Sequence, residues 1–170
     1  MNEDRQPEVS PHDKLTGLMN LRSFMGTAQA FLRAGNARRV VVAMWDVDGL
    51  RALNSKHGHA VGDQAVRWVA HRLSMTLGAA GLVARYGGDE FAVLLPEVGR
   101  DEGMALLEAA WAAIRVPMDA PNLQISATWG AVSSTATHDC NRLLRIADAA
   151  LYRAKRSKAG GHMSVDDGSG

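Results

Sequence analysis

Two pairs of carboxylates mark where this sequence could do chemistry. Asp89 and Glu90 follow Gly87-Gly88 and separate two apolar runs within residues 82–95. Asp46 and Asp48 end another apolar stretch, residues 40–45. Acidic residues at a turn are ordinarily just solvated. Brought to one edge of a sheet they would repel, which is costly unless something positive lies between them. Carboxylates with no Cys or His in the pattern favour a hard divalent ion, magnesium or manganese, over zinc. The chemistry therefore depends on whether the fold brings the two pairs together.

The elements that would position them follow from periodicity. Residues 40–45 are continuously apolar and rich in β-branched side chains, which predicts a central strand buried on both faces. The Gly87-Gly88 pair predicts a tight β-hairpin, and Pro96 closes its second strand. Between these lie a short helical turn after Gly49, a loop over 57–63 and a helix over about 63–77. Val66, Val69, Ala70, Leu73 and Leu77 form the stripe of that helix. Beyond the hairpin come a helix over 101–115 and a strand over 123–132, broken or bulged near Gly130. A last helix, capped by Asn141, runs to about Lys158 with Leu143, Leu144, Ala147, Leu151 and Ala154 inward. An earlier helix over 21–34, capped by Asn20 or Ser23, places Phe24, Ala28, Phe31 and Leu32 on one face. Trp68, Trp111 and the methionines read as core filling. Strand, helix, strand, strand, helix, strand is the split βαβ, ferredoxin-like pattern, an α/β (α+β) class. In that topology the first strand and the hairpin turn end at the same edge. The first strand also neighbours the hairpin's second strand, so Asp46 is predicted beside Asp89.

Composition narrows the field. The chain has 170 residues, 46% hydrophobic, enough for one domain with a full core. A net charge of +1 implies no broad basic surface, so nucleic acid is not an expected partner. The single cysteine, Cys140, excludes an internal disulfide and reads as a free thiol without a role. No apolar run is long enough to span a bilayer and the N-terminus lacks a signal-type segment, so a cytoplasmic protein without a membrane partner is expected. Residues 1–12, polar with two prolines, read as a flexible arm, and residues 13–160 as the functional domain. The Gly/Ser/Asp-rich residues 161–170 read as a disordered tail.

Tyr86-Gly87-Gly88-Asp89-Glu90-Phe91 resembles the signature of the GGDEF-domain diguanylate cyclases. Asp13-Lys-Leu-Thr-Gly-Leu-Met-Asn20 is similar to that family's opening motif. Asp46-Val-Asp48, Asn54, Gly58-His59 and Gly62-Asp63 fall in its order and spacing, and Ala147 to Lys155 resembles its closing helix. The resemblance covers roughly residues 12–160. It implies a core similar to the polymerase palm and class III nucleotide cyclases, with extra terminal helices. It further implies magnesium-dependent condensation of two GTP molecules into cyclic di-GMP and two pyrophosphates, at the interface of a homodimer. By that resemblance Asp46, Asp89 and the main-chain carbonyl of Val47 are metal ligands. Glu90 accepts the proton of the attacking 3′-hydroxyl, alone or sharing the task with the metal. Gly87 and Gly88 let the nucleotide approach the backbone, and Lys155 reaches phosphates. Asn54 and Asp63, assisted by His59, read guanine, with Leu50 and Arg51 walling the pocket. A carboxylate is acceptor-only and can take both donors of guanine's N1–H and N2–H₂ edge, which adenine lacks. Two of these residues keep structural alternatives: Asp63 could answer a helix N-terminus and Lys155 a helix C-terminus. Asp48 is structural rather than a ligand in this resemblance.

The sequence departs from the family's pattern at several points. Gly78-Ala-Ala-Gly81 stands where an Arg-x-x-Asp product-inhibition motif is common, so no such site is expected. Leu50-Arg51 replaces Phe-Lys, and Ser55 replaces an Asp. After Lys155 the usual Gly-Arg-Asn gives way to Arg156-Ser-Lys158-Ala-Gly-Gly-His162, which leaves Arg156 or Lys158 to stand in for a phosphate-binding arginine. Only about twelve residues precede the similar segment. Assembly would then come from self-dimerisation, from a separate regulatory protein, or from parts absent in a shortened chain. A second reading is a catalytically silent module that binds GTP or a protein partner. A third is a cyclase making another cyclic dinucleotide.

Overall fold

The computed structural model describes residues 10–35, 38–118, 123–136 and 139–166, with 165 and 166 as backbone only. In chain order the elements are β1 (Met19–Asn20), α1 (Leu21–Arg33), β2 (Val40–Val47), α2 (Leu50–His57), α3 (His59–Leu77), β3 (Leu82–Arg85), β4 (Glu90–Pro96), α4 (Arg100–Ile114), β5 (Ala127–Ser134), α5 (Cys140–Ser157) and β6 (Gly161–Asp166). They build a six-stranded sheet in the order β1-β3-β4-β2-β5-β6. The four inner strands with α3 and α4 are the split βαβ core.

The sheet is covered on both faces because its central strand is apolar at both periods of the pleat. Val41, Ala43, Trp45 and Val47 of β2 pack under Val66, Val69 and Leu73 of α3 and Leu107 and Ile114 of α4. Val40, Val42 and Met44 point the other way, onto Phe24, Ala28 and Leu32 of α1 and Leu143, Ala147 and Leu151 of α5. β2 runs antiparallel to β4 in unbroken register from Val40 opposite Pro96. The register puts Asp46 opposite Glu90. The Val47 amide donates to the Asp89 carbonyl at 3.0 Å. The predicted meeting of the two acidic pairs is thus a consequence of strand pairing.

The structure corrects several local expectations. The segment after Gly49 is a two-turn helix, and α3 begins at His59, where a loop was expected. Gly58 makes both possible: at φ +85° its amide closes α2 on the Asn54 carbonyl, and the next residue opens a new helix. The β3–β4 hairpin turns over four residues, 86–89. Neither Gly87 nor Gly88 is left-handed; the amides of Tyr86 and Gly87 both donate to the Glu90 carbonyl. There is no bulge at Gly130, for β5 runs against β2 in unbroken register. A Cβ at Gly130 would lie 1.9 Å from the Leu151 amide nitrogen, so glycine is what lets α5 rest on the strand. Asp139, not Asn141, caps α5 by accepting from the Asn141 and Arg142 amides, while Asn20 caps α1.

The ends are more ordered than their composition suggests. Residues 161–166, expected as disordered tail, form β6, parallel to β5. Residues 10–12, expected as arm, are tied down: Pro11 accepts from the Asn20 amide and His12 bridges Met19. Residues 1–9 and 167–170 and Asn36, expected to help stop the first helix, lie outside the described residues. Trp68 and Trp111 flank the core, but Met75 is 71% exposed and fills nothing. Cys140 is buried, and burial, with Asp139 nearby, pushes its thiol up to about 11. No helix among the described residues is long and apolar enough to cross a membrane.

Candidate active site

Leaving Gly58 in different directions, α2 and α3 open a cleft of about 550 Å³ toward the 86–89 turn. That volume suits a small organic ligand. Seven of the expected metal- and nucleotide-site residues line it: Leu50, Arg51, Asn54, His59, Asp63, Gly88 and Asp89. Asp63 sits past the first turn of α3, which holds no acidic residue, so the helix-terminus explanation for it falls away. The wall of the cleft is built by close packing. A Cβ at Gly62 would lie 1.7 Å from Asn54 Oδ1, so only glycine there leaves room for the Asn54 amide. Asn54 Oδ1 is buried with no hydrogen-bond partner. An unpaired buried acceptor is costly, and because Asn54 lines the cleft a small shift of its amide on ligand binding would let a donor relieve it.

Asp46 and Glu90 do not line this cleft, and Glu90 lines a separate one with Tyr86 and Asp148, but both lie next to Asp89 and the three carboxylates act on one another. Asp46 is half-buried, and its carboxyl is pushed up by burial and by Asp89 and Asp48, against the opposing pull of Lys155. Glu90 is raised likewise, by burial first, then by Asp46, Asp89 and Asp148. Asp48 faces away. Its two carboxylate oxygens accept from Ser126 Oγ and Thr128 Oγ1, each at 2.8 Å, a structural role that fixes the end of β2 against β5.

Two of the nucleotide-site residues expected from sequence stand outside the cleft lining, and one further residue comes into view. Gly87 does not line the cleft; a Cβ there would meet Glu90 Oε2 at 2.7 Å, so this glycine makes room for the Glu90 carboxylate, whereas Gly88 is open. Lys155 does not line the cleft either. Its ammonium lies 2.5 Å from Asp46 Oδ1, and it belongs to the last turn of α5, where a positive charge also answers the helix C-terminus. Arg85 had no assigned role, yet it lines the cleft and ties the site to the N-terminal segment. Its Nη1 donates to both oxygens of Asp13, at 3.1 and 3.2 Å, and its Nη2 donates to the Gly88 carbonyl at 2.7 Å. Asp13 also accepts from the Thr16 amide and hydroxyl. Burial works against the charge on Asp13, but these bonds outweigh it and hold the carboxyl below its ordinary range. The one sequence signal for Arg85 was a charged residue closing an apolar strand beside the turn.

A divalent ion would find part of a donor set here. Among the described residues no three His, Cys, Asp or Glu side chains converge as a ready-made metal cluster. Asp46 and Asp89 are nonetheless hard oxygen donors whose mutual repulsion a divalent ion would relieve, and the Val47 carbonyl lies between them in the chain. The residues fit such an ion on the condition that Lys155 yields or shares Asp46. In the other direction, the glycine at 81 leaves no space for a side chain: a Cβ would lie 2.0 Å from the Leu94 carbonyl oxygen.

Comparison with known proteins agrees with this geometry. The family model for the GGDEF domain of diguanylate cyclases matches residues 10–160. The diguanylate cyclase DgcP of Pseudomonas aeruginosa is 32% identical over 162 residues, covering 92% of this chain and 24% of DgcP. The diguanylate cyclase TpbB of the same organism is 35% identical over 156 residues, covering 88% of this chain and 36% of TpbB. The chain therefore spans about a quarter to a third of the length of these two relatives. The crystal structure of the diguanylate cyclase SiaD from Pseudomonas aeruginosa, in complex with its activator SiaC, superposes with a TM-score of 0.83 at 28% identity, over 92% of this chain and 62% of SiaD. Strand order, cleft and matched segments lead to one conclusion: this chain belongs to the GGDEF diguanylate cyclase family.

Proposed function

We propose that the chain is a diguanylate cyclase, condensing two GTP molecules into cyclic di-GMP and two pyrophosphates, each subunit of a homodimer presenting one nucleotide. One observation carries this reading: the cleft with the unpaired Asn54 acceptor and the Asp63 carboxylate opens directly onto Asp89, at the edge where Asp46 and Glu90 crowd. Guanine's N1–H and N2–H₂ donors suit Asp63 and Asn54, with His59 beside them and Leu50 and Arg51 as wall. The ribose and α-phosphate then face Asp46 and Asp89. A bound magnesium or manganese ion there would supply charge neutralisation at the α-phosphate and the departing pyrophosphate. Asp46, Asp89 and the Val47 carbonyl would hold it. Glu90, whose carboxyl is raised by its neighbours, is suited to receive the 3′-hydroxyl proton. Gly88 leaves the turn open to the incoming nucleotide, and Arg85 steadies that turn through its carbonyl.

A second reading, a module that binds GTP without turning it over, is favoured by the Lys155–Asp46 ion pair, which places an ammonium where the ion would sit. SiaD, crystallised with an activator protein, is consistent with a partner that would assemble this chain too. Chromatography of the nucleotides formed from GTP and magnesium, over a range of protein concentrations, separates the two. Cyclic di-GMP rising more than linearly with protein, and absent in Asp89→Ala, supports the cyclase. Intact GTP with tight, Asp63-dependent binding supports the silent module. Mixed ATP and GTP incubation would expose any other cyclic dinucleotide.

A further inference from the structure

A second cleft, of about 310 Å³, lies on the far side of the β2–α2 connection from the first. Asp48 lines this second cleft and Leu50 the first, so Gly49 alone separates them. Three cations converge in it: Lys155 and Lys158 from the end of α5, and Arg115 from the end of α4. Lys155 is matched by Asp46, and Asp48 is held by Ser126 and Thr128. Among the described residues no acidic side chain pairs with Arg115 or Lys158.

Both cations sit at the capping position that ends their helix, Arg115 after α4 and Lys158 after α5. The Arg115 guanidinium stacks over the Trp111 ring, 4.4 Å from its centroid. The ring is backed by Gly160, where a Cβ would lie 2.6 Å from it. Lys158 is left-handed at φ +55°, one of two non-glycine residues with positive φ among those described. It ends α5 as a left-handed cap whose amide donates to the Ala154 carbonyl, a position that glycine fills about 1 kcal/mol more easily. Arg156, the other basic residue after Lys155, is stacked on Tyr152, itself 62% exposed, and does not line the cleft.

We propose that Arg115 and Lys158 bind the β- and γ-phosphates of the nucleotide substrate. The assignment rests on the nucleotide reading given above. A nucleoside triphosphate with its base against Asn54 and Asp63 and its α-phosphate over Asp46 and Asp89 must send its tail across Gly49. There α2 begins without a side-chain cap, so its first amides also face the tail. The second cleft receives the tail, and Lys155 stands between the α-phosphate position and the cleft. Arg115 and Lys158 thereby do the work of a single arginine placed after Lys155, from two different helix ends.

The test compares equilibrium binding of 3′-deoxy-GTP, which lacks the attacking hydroxyl, with binding of GMP, both in magnesium. The wild type should prefer the triphosphate. Arg115→Gln and Lys158→Gly should each shrink that preference about tenfold, the worth of one charge-assisted hydrogen bond, with GMP affinity unchanged. Lys158→Gly relieves the positive φ, so a loss of binding there cannot come from a loss of folding. Arg115→Lys should recover part of the preference, and Arg156→Ala should leave it intact. An undiminished preference in Arg115→Gln and Lys158→Gly overturns the proposal, as does a loss in Arg156→Ala. A wild type that binds GMP and 3′-deoxy-GTP equally well overturns it while sparing the guanine site. A wild type that binds neither overturns the nucleotide reading itself.

Discussion

Replacing Gly62 by alanine should separate the fold from the site. The substitution adds one methyl group on α3, where helix propensity alone would stabilise the protein by about 0.5–1 kcal/mol. That methyl would lie 1.7 Å from Asn54 Oδ1 and 2.7 Å from its Cγ. Non-bonded heavy atoms prefer roughly 3.5 Å, so something must move by about 1.5 Å or more. What is struck is the far end of a short polar side chain, not backbone, and Asn54 borders an open cleft that gives the side chain room to turn. The Asn54 amide therefore swings out and the helices stay in place. The helix gain offsets the small strain, and the melting temperature should change by no more than about 2 °C. The amide, however, leaves the position where it can bond a base. One neutral hydrogen bond is worth about 0.5–1.5 kcal/mol, so 3′-deoxy-GTP should bind about threefold to tenfold more weakly. Calorimetric titration and a thermal melt on the same preparation read both quantities. Wild-type affinity in Gly62→Ala would refute the role given to Asn54. A melting temperature lowered by more than about 5 °C would refute the claim that Asn54, and not the α2–α3 packing, absorbs the clash.

Gly130→Ala should behave in the opposite way. Its Cβ meets the backbone of α5 at Leu151 and Ala147, which cannot step aside, so overpacking of about 1–3 kcal/mol should lower the melting temperature by roughly 3–10 °C. Gly88→Ala, with nothing within 4 Å, serves as the unaffected comparison. For pH, the carboxyls of Glu90 and Asp46 are raised above their ordinary values of 4.5 and 3.8. The stability they contribute as neutral acids is complete below those values and is lost as pH rises through the raised ones. Metal-free protein should therefore lose melting temperature as pH climbs out of the carboxylate range, and Glu90→Gln should flatten that loss. An equally steep loss in Glu90→Gln would show that the crowding at this edge is not what is titrating.

The sequence by itself determined the sheet and the meeting of the acidic pairs. Residues 40–45 are apolar at every position, so they must lie between two layers. The order of elements then lays that strand beside the second strand of the hairpin, which brings Asp46 to the edge that holds Glu90, while the exact register is left to packing because a strand apolar on both faces does not select one by pattern. The residues around the first cleft were legible only because their order resembles a known family; single positions such as Asn54 or Asp63 carry no local signal of what they face. Tertiary structure alone decided the rest. That Lys155 pairs with Asp46, that Arg85 joins Asp13 to Gly88, and that Gly62 makes room for Asn54 depend on how packed elements settle to within an ångström. Gly130 shows the limit well: in sequence a glycine within a strand signals a bulge, and in the fold it marks where a helix lies closest. The tail misled for the same reason, since Gly160 and Gly161 are small because Trp111 and Trp129 already occupy the space a side chain would need. Periodicity records what each segment buries, because burial is paid for locally; which distant side chains share a cleft depends on the packing of the whole chain.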